Sequence, residues 1–410
     1  MSATSSELQL SLKQYEKVYL PRYDGYSNMN ISHSVLRRFN AGGTTPLKEG
    51  SDLFNHRKVV VMLVDGLGYS HLMNARKEVP SVDRALSKST YLGQLTTMFP
   101  STTSTVMSSV NSGLTPLQHG VIGFTMYIKE LGAVINTLSF TPATERGEGG
   151  LEKSGMDPTF LYPQRTIYQT LFEKGVPSRI LTPAYLANSV MSRTLYNGGE
   201  RVKYAQLSDL FVNLRRILTE DQDREEFIFV YWSGVDTVSH KYGPGGEEYK
   251  AELNSVFHML TTELLEKCSG VDASLIITAD HGQVNIPEGQ FHDLSEYQGL
   301  LTSLSSPPVG DSRAVFLYAS DPAEMKSQME TVFGETSVVI DSSEALDKGF
   351  FGSDGRRPGF ESRIGDQIVL PYKDHSYAYR YPTYDYSPMR GNHGGLTLEE
   401  LLVPMLVYEL

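Results

Sequence analysis

The sequence predicts an α/β fold built on a central, mostly parallel β-sheet that is flanked by helices. Strand and helix signals alternate from about residue 58 to residue 282, which is the pattern of strands joined by helical crossovers. Three runs of apolar residues, at 59–64, 227–232 and 274–278, are typical of strands buried on both faces. We expect these runs to form the centre of the sheet.

Changes in composition and in the predicted secondary structure divide the chain into three parts. Residues 1–282 form the predicted main unit. From 283 to 385 the chain is richer in Pro, Gly and Ser and contains a strand-like AVFLY and a helix-like DPAEMKSQMETVF, which predicts a smaller inserted α/β subdomain. Residues 386–410 include LTLEELLVPMLVYEL, which begins like a capped helix and ends as an apolar strand, so we expect it to return to the main sheet and to bring the last metal ligand.

Charge and composition indicate a folded globular protein and argue against a general binder of polyanions. The formal net charge is -12, with 40% hydrophobic and 20% charged residues. Because Lys and Arg are not clustered, we do not expect a nucleic-acid polymer as partner, whereas bound cations would make small anions acceptable. The sequence lacks the apolar core of a signal peptide and any apolar run of membrane-spanning length. We therefore expect a cytoplasmic protein without membrane contact, and the oligomeric state is left open.

Each of the three predicted central strands is followed by an aspartate. Asp65 directly follows the first strand, Asp236 lies four residues after the second, and Asp280 lies two residues after the third. Because the carboxyl ends of parallel strands meet at one edge, where open α/β sheets build their sites, we expect the three carboxylates to lie close together. Taken singly, Asp65 also fits a helix-capping residue, Asp236 a surface ion pair with His240, and Asp280 a turn residue.

Three histidines complete a potential set of metal ligands. His240 lies four residues after Asp236, so a helix would direct both side chains the same way. His281 follows Asp280, and His393 lies in a glycine-rich stretch before the last predicted helix. Cysteine ligation is excluded because Cys268 is the only cysteine, and we expect it to be a packing residue. The set of Asp and His residues favours zinc, with manganese or iron as alternatives.

A stretch rich in Ser and Thr, PSTTSTVMSS at 100–109, leads into a helical pattern that ends near Gly113. A hydroxyl at this helix N-terminus would lie where free backbone N–H groups and the helix dipole favour a phosphoryl group. Simple N-capping is the alternative. A threonine would need a metal or a base to hold its oxygen as an alkoxide before it could act as a nucleophile.

Five ordered motifs resemble the nucleotide pyrophosphatase/phosphodiesterase family of the alkaline phosphatase superfamily: VDGLG, PSTT with GLTPLQHG, DTVSHKYGP, ADHG and NHGG. The resemblance covers about 58–282 and 385–410 and implies an alkaline-phosphatase-like fold. In that family the nucleophilic threonine stands ten residues before the first glycine of GLTPLQHG, which here is Gly113. The resemblance therefore implies Thr103 as the nucleophile, with Thr102 as the neighbouring alternative.

The same resemblance implies two divalent metal ions and a phosphoric ester hydrolase of the phosphodiesterase/nucleotide pyrophosphatase type. It assigns one ion to Asp236, His240 and His393, and the other to Asp65, Thr103, Asp280 and His281. It also implies a covalent phosphothreonine intermediate and a small phosphorylated substrate such as a nucleotide. A phosphomonoesterase or phosphonate hydrolase is one alternative, because specificity depends on groups outside the metal ligands. A nucleotide-binding pseudoenzyme is another, although the sequence does not show the ligand loss that would indicate it.

One departure from the family pattern concerns the phosphate oxygens. Eukaryotic members often follow HGII with Asp-Asn, whose amide helps to bind a phosphate oxygen, whereas here HGVI is followed by Gly123 and Phe124. Asn136 is the candidate to replace that amide, with burial against backbone groups as the alternative. Phe124 and Tyr127 are candidates to stack on a base or an aryl group, with core packing as the alternative.

Overall fold

The computed structural model describes residues 11–381 and 389–410. Within these ranges, none of the helices combines the length and the hydrophobicity that crossing a bilayer requires. The strands of the described residues are β1 Gln14–Tyr15, β2 Val18–Tyr19, β3 Lys58–Val64, β4 Tyr91–Thr96, β5 Thr125–Ile128, β6 Ala133–Asn136, β7 Thr141–Pro142, β8 Ser178–Pro183, β9 Glu200–Tyr204, β10 Glu226–Trp232, β11 Ala273–Thr278, β12 Val284–Asn285, β13 Phe291–Asp293, β14 Val309–Asp311, β15 Ala314–Leu317, β16 Ser337–Asp341, β17 Gln367–Pro371, β18 Ser376–Ala378, β19 Gly391–Asn392 and β20 Leu402–Glu409.

The α-helices of the same residues are α1 Met29–Arg38, α2 Tyr69–Glu78, α3 Pro80–Leu86, α4 Thr103–Ser112, α5 Pro116–His119, α6 Gly150–Lys153, α7 Ile167–Phe172, α8 Val190–Leu195, α9 Leu207–Thr219, α10 Gly234–Tyr242, α11 Glu247–Met259, α12 Gln298–Thr302, α13 Pro322–Phe333, α14 Ser342–Asp347, α15 Glu361–Ile364 and α16 Leu398–Leu401.

The main sheet contains seven strands in the spatial order β4-β20-β11-β3-β10-β8-β9. Strand β3 pairs in parallel with β10 and β11, and the pairs β10 with β8 and β8 with β9 are also parallel. Every residue of β3 is buried, as expected for a central strand covered on both faces. The predicted mostly parallel sheet and its three apolar strands are confirmed.

The registers of the central strands bring their carboxyl ends to one edge of the main sheet. Trp232, the last residue of β10, pairs with Val64, the last residue of β3. Thr278, the last residue of β11, pairs with Leu63. The residues that follow these three strands therefore meet at the same edge.

A second sheet, whose pairings are all antiparallel, has the order β16-β17-β15-β14-β5-β6-β7. Four of its strands lie within the predicted insertion, 283–385. The other three, β5 to β7, come from the part of the chain that the sequence-based division assigned to the main unit, 1–282. They join the second sheet because Thr125 pairs with Gly310, and strands of two to four residues carry too little periodicity to reveal this pairing.

The last strand returns the chain to the main sheet, as predicted. Strand β20 lies antiparallel between β4 and β11, and its first residue, Leu402, pairs with Thr96 at the end of β4. Thr397 and Glu400 form a capping box at the start of α16, which defines where this short helix begins. The loop before α16, which carries His393, therefore lies at the same edge as the ends of β3, β10 and β11.

A buried ion pair attaches the second sheet to this terminal segment. Arg313 and Glu400 are both fully buried. The guanidinium of Arg313 donates to the carboxylate of Glu400 at 3.1 Å from Nε and 3.0 Å from Nη2. Glu400 also accepts from the backbone N–H of Gly395 at 2.9 Å. Because Gly395 closes the loop that carries His393, the ion pair fixes this loop against the second sheet.

We expect Glu400→Gln to lower the free energy of unfolding by about 3–5 kcal/mol, because it leaves the buried charge of Arg313 uncompensated. The matched control is Glu173→Gln, which removes one partner of the exposed pair with Arg165 and is expected to cost less than about 1 kcal/mol. Urea unfolding of the three proteins measures both effects. Equal losses in the two variants would contradict the structural role of the buried pair.

Candidate active site

Three aspartates meet at the carboxyl edge of the main sheet. Asp65 follows β3, Asp236 lies in the first turn of α10, and Asp280 follows β11. Gly66 permits their close approach, because its φ is +74° and a Cβ at this position would lie 2.9 Å from the Cα of Asp236. Side chains from two strands and one helix therefore converge in a small volume.

Asp65, Asp280 and His281 form the first of two clusters, which we call ligand group 1. His281 Nε2 lies 3.5 Å from Asp65 Oδ1 and 3.4 Å from Asp280 Oδ2. His281 Nδ1 faces the carbonyl oxygen of Gly282 at 3.1 Å, so a proton on Nδ1 leaves Nε2 available as a ligand. Among the described residues, these two carboxylate oxygens have no hydrogen-bond partner although they are buried. Such oxygens call for a cation or a proton.

Asp236, His240 and His393 form the second cluster, ligand group 2. The Nε2 atoms of His240 and His393 lie 3.2 Å and 3.9 Å from Asp236 Oδ1. The opposite ring nitrogens face backbone carbonyls, at 2.7 Å from Gly391 for His240 and at 3.0 Å from Ser101 for His393. Backbone carbonyls thus orient both Nε2 atoms toward one carboxylate, which is how proteins commonly orient metal-binding histidines.

The two ligand groups adjoin each other. The rings of His281 and His393 stack with their centroids 3.6 Å apart and their planes at 13°. Within each group, one potential ligand atom from every residue lies within 4.8 Å of the others. The structure therefore assembles the six predicted Asp and His residues into the same two sets that the family resemblance implies.

Burial and neighbouring charges shift the pKa values of residues in both ligand groups. Burial, followed by the charges of Asp280 and Asp236, raises the pKa of Asp65 well above its ordinary value. Burial, followed by the charge of His281, lowers the pKa of His393 well below its ordinary value. Burial also acts to lower the pKa of His240, but the adjacent Asp236 outweighs it and raises that pKa to about 8. Shifts of this kind cluster at functional sites.

The donor atoms of the two ligand groups fit divalent cations. Imidazole nitrogens and carboxylate oxygens together are acceptable ligands for zinc, manganese and iron. A cation at ligand group 1 would offset the repulsion between Asp65 and Asp280 and would give their unpartnered oxygens a ligand.

Thr103 is the first residue of α4, and its Oγ1 lies 3.3 Å from His281 Nε2. Thr102 precedes the helix in an extended conformation and does not cap it with its side chain. Instead, Thr102 Oγ1 donates to Asp311 Oδ1 at 2.9 Å. The first N–H groups of α4 thus remain available to an anion, and Thr103 is the hydroxyl that adjoins ligand group 1.

A cavity of about 250 Å³ opens beside Thr103 and ligand group 2, and all three residues of that group contribute to its lining. Most of the remaining wall is apolar or aromatic and includes Phe124, Leu138, Phe291, Val309, Val315, Tyr377, Tyr379 and Tyr381. A cavity with this lining suits a small, largely apolar group.

A sequence model of the type I phosphodiesterase/nucleotide pyrophosphatase family matches residues 59–396. The chain belongs to this family. The matched range runs from β3 to the loop that carries His393 and so contains every residue of both ligand groups and Thr103. The family resemblance predicted from the five motifs is confirmed.

Two venom phosphodiesterases share part of this sequence. Venom phosphodiesterase 2 of Crotalus adamanteus is 23% identical over 252 residues, which are 60% of this chain and 29% of the relative. Venom phosphodiesterase 1 of the same species is 23% identical over 252 residues, 60% of this chain and 28% of the relative. The chain therefore spans less than a third of the length of these relatives.

Solved structures extend the similarity to most of the chain. An inactive variant of murine ectonucleotide pyrophosphatase/phosphodiesterase 5 in complex with AMP superposes with a TM-score of 0.63 at 16% identity, covering 86% of this chain and 87% of the other. Phosphonoacetate hydrolase from Sinorhizobium meliloti, solved with phosphonoacetate, superposes with a TM-score of 0.61 at 18% identity, covering 86% and 90%. The predicted alkaline-phosphatase-like α/β fold is confirmed.

Phe124 and Tyr127, the two aromatic residues predicted to contact substrate, have surroundings that differ from each other. Phe124 lines the cavity. Tyr127 is absent from the described lining and packs against Tyr318, with ring centroids 5.1 Å apart and planes at 64°. This contact on β5 fits the core-packing alternative, and the stacking role of Tyr127 stays a prediction.

Asn136 hydrogen-bonds to the backbone that follows it, and its predicted phosphate-binding role stays a prediction. Its Oδ1 accepts from the backbone N–H groups of Leu138 and Ser139 at 2.9 Å and 3.0 Å. Asparagine commonly stabilises a turn by hydrogen bonds to the backbone that follows it. Asn136 ends β6 in this way, and it is not among the described residues that line the cavity.

Three residues that the sequence analysis missed lie around the site. The Tyr231 hydroxyl donates to Asp65 Oδ2, and the Gln283 carboxamide donates to Asp236 Oδ1. The third residue, Asp311, ends β14 and lines the cavity, and burial raises its pKa to about 7. Tyr231 and Gln283 lie close to predicted ligands in the sequence, which is a weak signal for their role, whereas Asp311 has no such signal.

Proposed function

We propose that this protein hydrolyses phosphate esters, preferentially phosphodiesters, and that Thr103 is the nucleophile. The observation that carries the proposal is the position of the Thr103 hydroxyl. Its Oγ1 is 3.3 Å from His281 Nε2, at the start of α4 and in the wall of the cavity. A metal-ligand cluster beside a hydroxyl can activate it as a nucleophile. The backbone N–H groups of the helix N-terminus can bind the anionic phosphoryl group next to it.

Two divalent cations fit the proposed reaction. Ligand group 1 with Thr103 would hold one cation, and ligand group 2 would hold the other. When bound, such cations stabilise negative charge on phosphoryl oxygens and lower the pKa of a coordinated hydroxyl. We propose zinc first and manganese or iron second, since both groups combine imidazole and carboxylate.

The residues of the chain bind and orient the substrate in this proposal. Backbone N–H groups at the start of α4 donate to phosphoryl oxygens, and the walls of the cavity hold an organic group. Oγ1 of Thr103 forms a bond to phosphorus as the bond from phosphorus to the leaving oxygen breaks. Water then hydrolyses the resulting phosphothreonine, which releases the phosphorylated product and restores the hydroxyl.

The cavity supports a phosphodiester as substrate. A diester carries one organic group that leaves and one that stays on phosphorus, and the apolar wall beside Thr103 suits the group that stays. The murine and Sinorhizobium meliloti relatives were solved with AMP and phosphonoacetate, so a nucleotide and a phosphonate belong among the compounds to be tested.

The test compares kcat/KM of the metal-loaded protein for bis(p-nitrophenyl) phosphate, p-nitrophenyl phosphate, a dinucleotide and phosphonoacetate. We expect the diesters to exceed the monoester by about tenfold or more, because only they fill the cavity with a retained group. A preference for p-nitrophenyl phosphate or for phosphonoacetate would favour the monoesterase or phosphonate hydrolase alternative. Binding of AMP without turnover of any compound would favour a pseudoenzyme.

A further inference from the structure

Asp311 is a carboxylate in the cavity wall that is not part of either ligand group. Its Oδ1 accepts from Thr102 Oγ1 at 2.9 Å, and its Oδ2 accepts from the backbone N–H of Phe124 at 3.2 Å. Thr102 adjoins the proposed nucleophile, and Phe124 stands where eukaryotic relatives often carry a phosphate-binding Asn. Asp311 is therefore held next to the reacting centre, although it comes from the second sheet.

The backbone around Asp311 leaves its side chain little freedom. Gly394 has a φ of +120°, and a Cβ at this position would lie 2.7 Å from the Cβ of Asp311. On the opposite side, a Cβ at Gly123 would lie 3.3 Å from Asp311 Oδ2. With two hydrogen bonds and close backbone on two sides, the carboxylate has a fixed position in the cavity.

Outside the ligand groups, the described wall of the cavity carries negative charge and no positively charged side chain. Asp236 belongs to ligand group 2, where a cation would offset its charge, so Asp311 is the acidic residue of the described lining outside the ligand groups. The lining found in the described part of the chain contains neither Lys nor Arg. Aromatic rings supply much of the rest of the wall. Such a surface favours apolar groups and organic cations, whose charge interacts well with ring faces and carboxylates. It disfavours an additional anion beside Asp311, where the anion would meet like charge and neither Lys nor Arg.

We propose that Asp311 is a specificity-determining residue that selects esters by the charge of the organic group retained on phosphorus. It admits cationic and neutral groups and rejects groups that carry a second negative charge. This inference rests on the proposed hydrolysis of phosphodiesters by the same site. It adds a criterion for substrates that the metal ligands do not supply, because those ligands act on the phosphoryl group alone.

Three diesters with one leaving group test the inference: the 2-aminoethyl, propyl and 2-carboxyethyl esters of p-nitrophenyl phosphate. Their retained groups are cationic, neutral and anionic at nearly constant size. Assays at about pH 8, above the pKa of about 7 of Asp311, keep the carboxylate ionised. We expect the wild-type kcat/KM for the aminoethyl ester to exceed that for the carboxyethyl ester by about 10- to 100-fold.

Asp311→Asn is expected to bring this ratio close to one, because the carboxamide occupies the same space without the charge. The matched control is Asp366→Asn, which alters an exposed carboxylate that accepts from the Ala319 N–H outside the cavity. This control should keep the wild-type ratio. A ratio of rates within one protein does not depend on the fraction of that protein that is folded.

A ratio near one in the wild-type protein, or an equal loss for all three esters in Asp311→Asn, would overturn the inference. Dissociation constants for the aminoethyl and carboxyethyl esters, measured by calorimetry on Thr103→Ala with and without Asp311→Asn, provide a readout independent of turnover. If the wild-type protein hydrolysed none of the esters, the proposed function would be wrong. The ratio of dissociation constants would still decide the role of Asp311.

Discussion

Thr103→Ala is expected to lower kcat for a phosphodiester on the order of 10⁴-fold or more, because it removes the proposed nucleophile and leaves only binding and electrostatic effects. Thr103→Ser should retain part of the activity, since it keeps a hydroxyl at the start of α4. KM should change little in the alanine variant, because the helix N-terminus and the cavity wall remain. Steady-state and single-turnover rates of the metal-loaded variants measure these effects.

Thr102→Val is the matched control for the nucleophile. It removes the adjacent hydroxyl, whose hydrogen bond goes to Asp311 rather than toward ligand group 1, while keeping a β-branched side chain of similar shape. We expect its kcat to stay within about tenfold of wild type. Loss of turnover in Thr102→Val combined with activity in Thr103→Ala would reverse the assignment of the two threonines.

Asp280→Asn is expected to abolish binding of one metal ion and to lower kcat/KM by more than about 100-fold. Mutation of a residue that only hydrogen-bonds to a metal ligand already lowers metal affinity or activity by about 10- to 100-fold, and Asp280 is a proposed ligand itself. Asp280 Oδ1 accepts from the N–H groups of Gly66 and His281 at 3.1 Å and 3.0 Å. An asparagine can preserve these bonds with its carbonyl oxygen. Its NH2 group then replaces Oδ2, the oxygen without a partner, and an NH2 group cannot bind a cation.

Metal content measured by mass spectrometry and thermal unfolding with and without added zinc or manganese test this prediction. Zinc or manganese should raise the Tm of the wild-type protein more than that of Asp280→Asn, because a cation that binds only the folded state stabilises it. The control is Asp272→Asn, which changes an exposed carboxylate paired with His56 and should bind both metals. Equal metal content in the Asp280 and Asp272 variants would contradict the ligand assignment.

The parts of the fold that the sequence predicted are those with strong local patterns. The apolar run at 59–64 became β3, which lies at the centre of the main sheet. At 398–409 a helix-capping pattern is followed directly by an apolar strand pattern, and both elements are present. The membership of β5 to β7 in the second sheet depends on long-range pairing between short strands. No local periodicity encodes such a pairing.

The same distinction applies to the site. Asp65, Asp280 and His281 closely follow strands, and Asp236 and His240 lie at helical spacing, so their convergence could be predicted from position in the sequence. His393 lies in a glycine-rich loop, and its place in the site was predicted from the family resemblance. Asp311 is 209 residues from its partner Thr102. The Gly-Asp sequence at 310–311 is typical of an ordinary turn. The role of Asn136 stays a prediction, because an asparagine before a turn has the same sequence pattern whether its amide binds a ligand or the backbone. The cytoplasmic location and the domain boundaries stay predictions.

Thr103 is proposed to carry the phosphoryl group between the two steps of hydrolysis. Rapid acid quenching of the metal-loaded protein during turnover of bis(p-nitrophenyl) phosphate, followed by peptide mass spectrometry, tests it most directly. We expect a peptide that carries the p-nitrophenyl phosphoryl group on Thr103 in the wild-type protein and no such peptide in Thr103→Ala. Turnover without any modified threonine, together with full activity of Thr103→Ala, would contradict it.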